Sequence, residues 1–71
     1  MNIKEYIQLC CVKRGISVAE LARKIDNSPQ NFNHKMQRNS FQSSELEKIA
    51  AALDCDLKIE FIDNKTQKPL I

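Results

Sequence analysis

The sequence has little glycine, few aromatic residues and no long apolar run. Its 71 residues include one glycine, no tryptophan and three cysteines. This length is typical of one small domain, so residues 1–71 are expected to form a single unit. No apolar run approaches the about 20 residues that cross a membrane, and the first residues lack the apolar core of a signal peptide. These absences predict a cytoplasmic protein.

Residues that could do chemistry are also scarce. Cys10 and Cys11 are adjacent, Cys55 is distant, and no second ligand pair accompanies them, so neither a disulfide framework nor a zinc site is supported. The one histidine, His34, has no acid at an orienting spacing and no nucleophile placed beside it. The sequence predicts no catalytic residue, no metal ligand and no cofactor, and therefore no enzyme.

The middle of the chain has the pattern of two short helices joined by a tight turn. Ser17 and Glu20 have the spacing of a capping box, in which each residue satisfies a backbone N–H of the other. Ser28 is a second cap, followed by Pro29 at the first helical position. The pattern is that of a helix-turn-helix with helices at about 18–25 and 29–37.

Further helices are predicted on both sides of this pair. Ile3 and Ile7 lie one helical turn apart, and Gly15 is a natural helix stop. Gln42, Ser43 and Ser44 are competing N-caps of the last helix, and Ser44 with Glu47 repeats the capping-box spacing ahead of an apolar stripe. The flanking helices are placed at about 2–14 and 44–53.

Near the C-terminus, the spacing of the apolar residues changes from helical to every second residue. Leu57, Ile59 and Phe61 alternate with charged residues, which is typical of a half-buried strand. The predicted fold is mainly α, a four-helix domain with a short C-terminal strand or hairpin. The strand is placed at about 56–62, with a candidate return strand at 69–71.

The second helix of the pair has amide side chains on its exposed face. At about 100° per residue, Phe32 and Met36 fall on one side. Asn and Gln can form bidentate hydrogen bonds with the adenine edge in the major groove. The residues on the polar side of this helix are Gln30, Asn33, His34 and Gln37.

The helix pair also lies in a basic part of the chain. From Lys13 to Arg38 there are six bases and two acids, a locally basic patch that suits phosphates.

These motifs resemble the Cro and lambda-repressor-like (XRE-type) family of bacterial and phage transcriptional regulators. The segments that carry the resemblance are KRGISVAELARKI, SPQNFNHKM and LEKIAAALDCDL, and the likeness covers about residues 3–54. It implies that the third helix enters the major groove and reads bases with Gln30, Asn33 and His34, to which the polar-face pattern adds Gln37. It also implies backbone contacts from Ser17, Ser28 and Arg38.

The sequence departs from the family pattern at four places. Asp26 stands where the family usually has the glycine of the turn, and Val18 stands where a polar residue often follows the cap of the second helix. Cys11 and Met36 stand where many members pair an arginine with a glutamate. The strand region at 57–71 takes the place of a fifth helix.

The sequence is compatible with two functions. The leading hypothesis is a repressor-like, sequence-specific regulator that binds double-stranded DNA as a homodimer on half-sites about one helical turn apart. The C-terminal hairpin is expected either to cover the first and fourth helices or to join two chains through its edge. The alternative is an antitoxin-like or adaptor module that uses an exposed strand edge or the third helix on a protein partner. The sequence specifies no operator, effector or direction of regulation.

Overall fold

Four short helices form most of the chain in the computed structural model, which describes residues 2–71. They are α1 (Ile3–Arg14), α2 (Val18–Lys24), α3 (Pro29–Arg38) and α4 (Ser43–Ala52). The prediction of a mainly helical chain with four helices is confirmed.

Side chains cap the first three helices at the positions where the backbone lacks partners. Asn2 Oδ1 accepts the N–H of Lys4 at 3.0 Å at the start of α1. Ser17 Oγ accepts the N–H of Glu20 at 3.0 Å, and Glu20 Oε1 accepts the N–H of Ser17 at 3.5 Å, so the predicted capping box is confirmed. Ser28 Oγ caps α3 by accepting the N–H of Asn31 at 3.2 Å. Local polar residues thus fix where these helices begin.

The fourth helix begins earlier than its sequence pattern suggested. Its cap is Gln42, whose N–H donates to Glu45 Oε1 at 3.2 Å, rather than Ser44 with Glu47. Both pairs have the spacing of a capping box. Glu45 also pairs with a lysine of α3, so tertiary contact favours the earlier start.

The core is apolar throughout the described residues. α1 contributes Ile7 and Cys11, and burial, with a smaller effect of the adjacent Cys10, raises the pKa of the Cys11 thiol. Between residues 2 and 71 no polar or charged side chain is buried, so the core holds no unpaired charge. The buried residues are Ile7, Cys11, Leu21, Ala22, Phe32, Met36, Ile49 and Leu53.

An aromatic pair holds the loop between α3 and α4 against this core. The ring centroids of Phe32 and Phe41 lie 5.4 Å apart with a tilt of 50°. Phe32 is fully buried and Phe41 is half-buried. This geometry is within the favourable range for aromatic pairs, so Phe41 anchors the loop that follows α3.

The strand predicted at 56–62 is absent from the described chain, and the return strand at 69–71 is reduced to a single bridge. That antiparallel bridge joins Ile62 to Pro69, and the N–H of Leu70 donates to the carbonyl of Phe61 at 2.8 Å. The alternating pattern identified side chains suited to a strand. A strand also needs a neighbouring backbone to take its hydrogen bonds, and the four helices offer none.

The C-terminal segment, residues 55–71, extends away from the helices. Every residue in it except Asp63 is exposed. The radius of gyration is 13.5 Å, against about 11 Å for a compact domain of this length. The helices are therefore the packed unit, and the segment adds surface rather than core.

Candidate nucleic-acid interface

A tight turn sets the relative orientation of α2 and α3. The carbonyl of Ala22 accepts the N–H groups of Ile25, at 3.2 Å, and Asn27, at 2.9 Å. Asp26 between them has φ 58°, in the left-handed region. Leu21 and Ala22 of α2 are fully buried in the same core that receives the inner face of α3. The two helices therefore pack as a helix-turn-helix that leaves the outer face of α3 uncovered.

The outer face of α3 is polar and carries no negative charge. Phe32 and Met36 point into the core, and the helix contains no Asp or Glu. Amides and an imidazole offer both donors and acceptors without repelling phosphates. The sequence-predicted base-reading residues are all exposed on this helix: Gln30, Asn33, His34 and Gln37.

Asn31 belongs to the same surface, although the sequence prediction did not include it. Its side chain is exposed. At about 100° per residue, Asn31 lies about 120° from the direction of the two buried side chains, whereas Asn33 lies about 80° from it. The helical spacing of the sequence was therefore enough to identify Asn31 as an exposed residue of this face. Asn31 faces farther from the core than Asn33 does.

The residues predicted to contact the DNA backbone lie at helix ends. Ser17 and Ser28 are exposed caps of α2 and α3, and each hydroxyl oxygen accepts a backbone N–H. The Ser17 hydroxyl also lies 3.4 Å from Glu20 Oε1, to which it can donate. Arg38 is the exposed last residue of α3. The Ser28 hydroxyl accepts a backbone N–H and keeps its own proton as a donor for a phosphate oxygen, whereas the Ser17 proton must first be released from Glu20.

The comparison with protein families identifies this arrangement. The model of the Cro/C1-type HTH DNA-binding domain matches residues 7–58. The chain belongs to the Cro/C1-type family. No curated protein and no solved structure matched the chain. The match spans α2, α3, α4 and most of α1, so it covers the whole helix-turn-helix.

Within this Cro/C1-type domain, one lysine of the predicted basic patch is already paired. Lys35 Nζ of α3 forms an ion pair with Glu45 Oε2 of α4, and both side chains are partly buried. The hydrogen bond from Lys35, followed by that from the Gln42 N–H, lowers the pKa of Glu45. Lys35 thus links the two helices, and the charge available for phosphates is smaller than the sequence count suggested.

Other kinds of site receive no support from the described residues of the Cro/C1-type chain. Between residues 2 and 71, no three His, Cys, Asp or Glu side chains come together as a metal site. In the same range, no helix has the length and hydrophobicity needed to cross a membrane. The outer face of α3 is the surface with the clearest chemistry.

Proposed function

We propose that this Cro/C1-type chain is a transcriptional regulator that recognises a specific sequence in double-stranded DNA with α3 in the major groove. The observation that carries the proposal is the outer face of α3, where amides and an imidazole are exposed on a helix without acids. A major groove about 12 Å wide admits one helix, and its base edges present donors and acceptors in patterns that such side chains can read. In this proposal, Gln30, Asn33, His34 and Gln37 read bases, together with Asn31.

The backbone contacts come from residues at the ends of the helices. Ser28 donates its hydroxyl proton to a phosphate, and Ser17 does so once its hydroxyl turns away from Glu20. Arg38 contributes a charge next to the loop that Phe41 anchors. These contacts fix the register of α3 and carry no sequence information themselves. They make the affinity depend on salt, because each neutralised phosphate releases counterions.

The regulator acts as a homodimer in this proposal. One α3 reads only a few base pairs, whereas two copies related by a twofold axis read two half-sites about 34–36 Å apart. The C-terminal segment supports the dimer because it exposes apolar side chains that the chain itself does not cover. A partner protein on the same segment would instead favour the antitoxin-like or adaptor alternative.

Selection of bound sequences from random duplex DNA tests the proposal. We expect enrichment of a twofold-symmetric motif. Gln30→Ala should then lower the affinity for the selected duplex by about 1–3 kcal/mol if Gln30 makes a bidentate contact. Binding to a scrambled duplex should hardly change, because phosphates supply that affinity.

Gln8→Ala is the matched control, since Gln8 is an exposed amide on α1. It should leave both affinities unchanged. A selection that enriches no motif, or a Gln30→Ala variant that binds the selected duplex as well as the parent, would contradict the proposal.

A further inference from the structure

Two surfaces of the chain expose large apolar side chains that the described structure leaves uncovered. Nine such residues are exposed in the described part of the chain, three on α1 and six in the C-terminal segment. Their exposed area is on the order of 1,000 Å², comparable to the about 800 Å² that each partner contributes to a standard interface. The two surfaces together are therefore large enough for a stable dimer.

The outer face of α1 is one of these surfaces, formed by Tyr6, Leu9 and Val12. These side chains are 51%, 68% and 76% exposed. By helical spacing they form a stripe on the side opposite the buried Ile7 and Cys11. Large apolar side chains grouped on the solvent side of a helix are typical of an interaction surface, so this stripe is suited to being covered.

The C-terminal segment is the other surface. Ile59 and Phe61 are 64% and 82% exposed, and Leu70 is also exposed. The backbone pairs with the end of the segment at Phe61 and Ile62, whereas residues 56–60 belong to no strand in the described structure. Apolar side chains on an unpaired segment favour association with another surface.

The two elements carry opposite net charge. α1 contains three bases and one acid, of which Lys13 and Glu5 flank the apolar stripe, whereas residues 54–63 contain four acids and one base. The one base in that stretch, Lys58, lies 2.6 Å from Glu60 and leaves an acidic remainder. Opposite net charge on two elements favours their encounter and their orientation.

We infer that the outer face of α1 receives the C-terminal segment of a second copy of the chain, and that the second copy does the same in return. The segment begins beside α1, because Arg14 Nη2 donates to Cys55 Sγ at 3.3 Å, yet in the single chain it leaves Leu9 and Val12 exposed. The stripe on α1 is about 9 Å long. Seven residues of the segment reach about 23 Å at full extension, which is enough to cross it.

A twofold axis then repeats the contact, so that each chain contributes its α1 stripe and its C-terminal segment to one interface. This inference rests on the proposed homodimeric regulator and names the surfaces that join its two copies.

Two single variants, each with a charge introduced on one of the two surfaces, test the inference by sedimentation equilibrium of the full chain. The parent should be a dimer. Leu9→Glu and Phe61→Glu should each weaken dimerisation at least tenfold, because each places a charged carboxylate in the apolar contact. Both residues are exposed in the single chain, so neither change disturbs the core. Gln8→Ala and Lys65→Ala are controls on the same two elements and should leave the dimer unchanged. Circular dichroism checks that helix content is preserved in each variant.

Mixing the two variants gives the decisive result. In a dimer of one Leu9→Glu chain and one Phe61→Glu chain, one contact carries both changes and the other contact is intact. We therefore expect the equimolar mixture to form more dimer than either variant alone at the same total concentration.

The alternatives give different patterns. If only Phe61→Glu dissociates the dimer, the segments pair with each other; if only Leu9→Glu does, the two α1 helices pack together. A monomeric parent, or dissociation by both variants without rescue on mixing, also overturns the inference. The DNA selection remains a separate readout: failure to find a motif would reject the proposed function whatever the mass, and a motif with the wrong mutant pattern would reject only this interface.

Discussion

Asp26 adopts a backbone conformation that glycine adopts more easily. Its φ of 58° lies in the left-handed region, where a Cβ atom crowds the following carbonyl oxygen. Aspartate tolerates this conformation better than most residues, which explains how the turn forms at a position where the family usually has glycine. The turn is therefore built at some cost in stability.

Replacing Asp26 should reveal that cost. Asp26→Gly is expected to raise the free energy of unfolding by about 0.5–1 kcal/mol, because relief of strain exceeds the entropy that glycine adds to the unfolded chain. Asp26→Ala should lower it, since alanine keeps the Cβ and loses the polar side chain. Urea unfolding of the three proteins measures both changes. A less stable glycine variant would mean that the carboxylate contributes more than the strain costs.

The orientation of α3 makes a second prediction at the scale of single residues. Asn31 faces farther from the core than Asn33 does, so Asn31→Ala should reduce the affinity for the selected duplex at least as much as Asn33→Ala. A bidentate contact to a base corresponds to about 1–3 kcal/mol. Fluorescence anisotropy with selected and scrambled duplexes measures both. Loss confined to Asn33→Ala would show that α3 is rotated in the groove relative to its exposed side.

At the scale of elements, the ion pair between Lys35 and Glu45 couples α3 to α4. The pKa of Glu45 is lower in the folded chain, first because of the hydrogen bond from Lys35 and then because of the Gln42 N–H. A carboxyl with a lowered folded-state pKa stabilises the fold above its unfolded pKa, about 4.3 for glutamate. That stability is lost as the pH falls through the folded-state value.

Glu45→Gln should therefore destabilise the chain at pH 7, and its difference in stability from the parent should shrink as the pH falls through the folded-state pKa of Glu45. The effect should be modest because the pair is partly exposed to solvent. Glu47→Gln is the matched control, since Glu47 is an exposed acid on the same helix. Thermal unfolding across this pH range measures the difference, and a gap between parent and Glu45→Gln that persists at low pH would contradict the assigned cause.

The four helices were predictable because their signals are local. The Ser17 cap, the Ser28 cap and the stop at Gly15 each depend on residues within one helical turn. The hydrogen bonds at these positions form within the same short segments. A sequence pattern of this kind reports directly on the backbone conformation.

The features that the sequence could not predict depend on distant residues. The alternation from Leu57 to Phe61 suits a strand, but its formation depends on a neighbouring backbone that the described chain does not supply. The link between Lys35 and Glu45 joins two helices whose relative position has no signal in either segment. The start of α4 depends on that same contact, since Ser44 with Glu47 and Gln42 with Glu45 are equivalent by spacing alone.

At the scale of the whole molecule, a small helical unit carries an extended segment. The principal extents are 41 × 23 × 19 Å, so the long dimension exceeds the others by almost a factor of two. The helical unit presents α3, and in our proposals the segment joins two units into a twofold dimer. Because a twofold dimer presents two copies of α3 related by symmetry, the proposal predicts a palindromic operator. Its half-site centres should be separated by about 10–10.5 base pairs or a multiple of that spacing.

The most direct test of sequence-specific recognition is the affinity of the parent chain for its selected duplex and for a scrambled duplex, each at two salt concentrations. We expect the selected duplex to bind about 10³-fold more tightly, or better, at physiological salt. Arg38→Ala in the same assay should weaken both complexes similarly and reduce the slope of log affinity against log salt by about one unit. Equal affinity of the parent for the two duplexes would contradict the account.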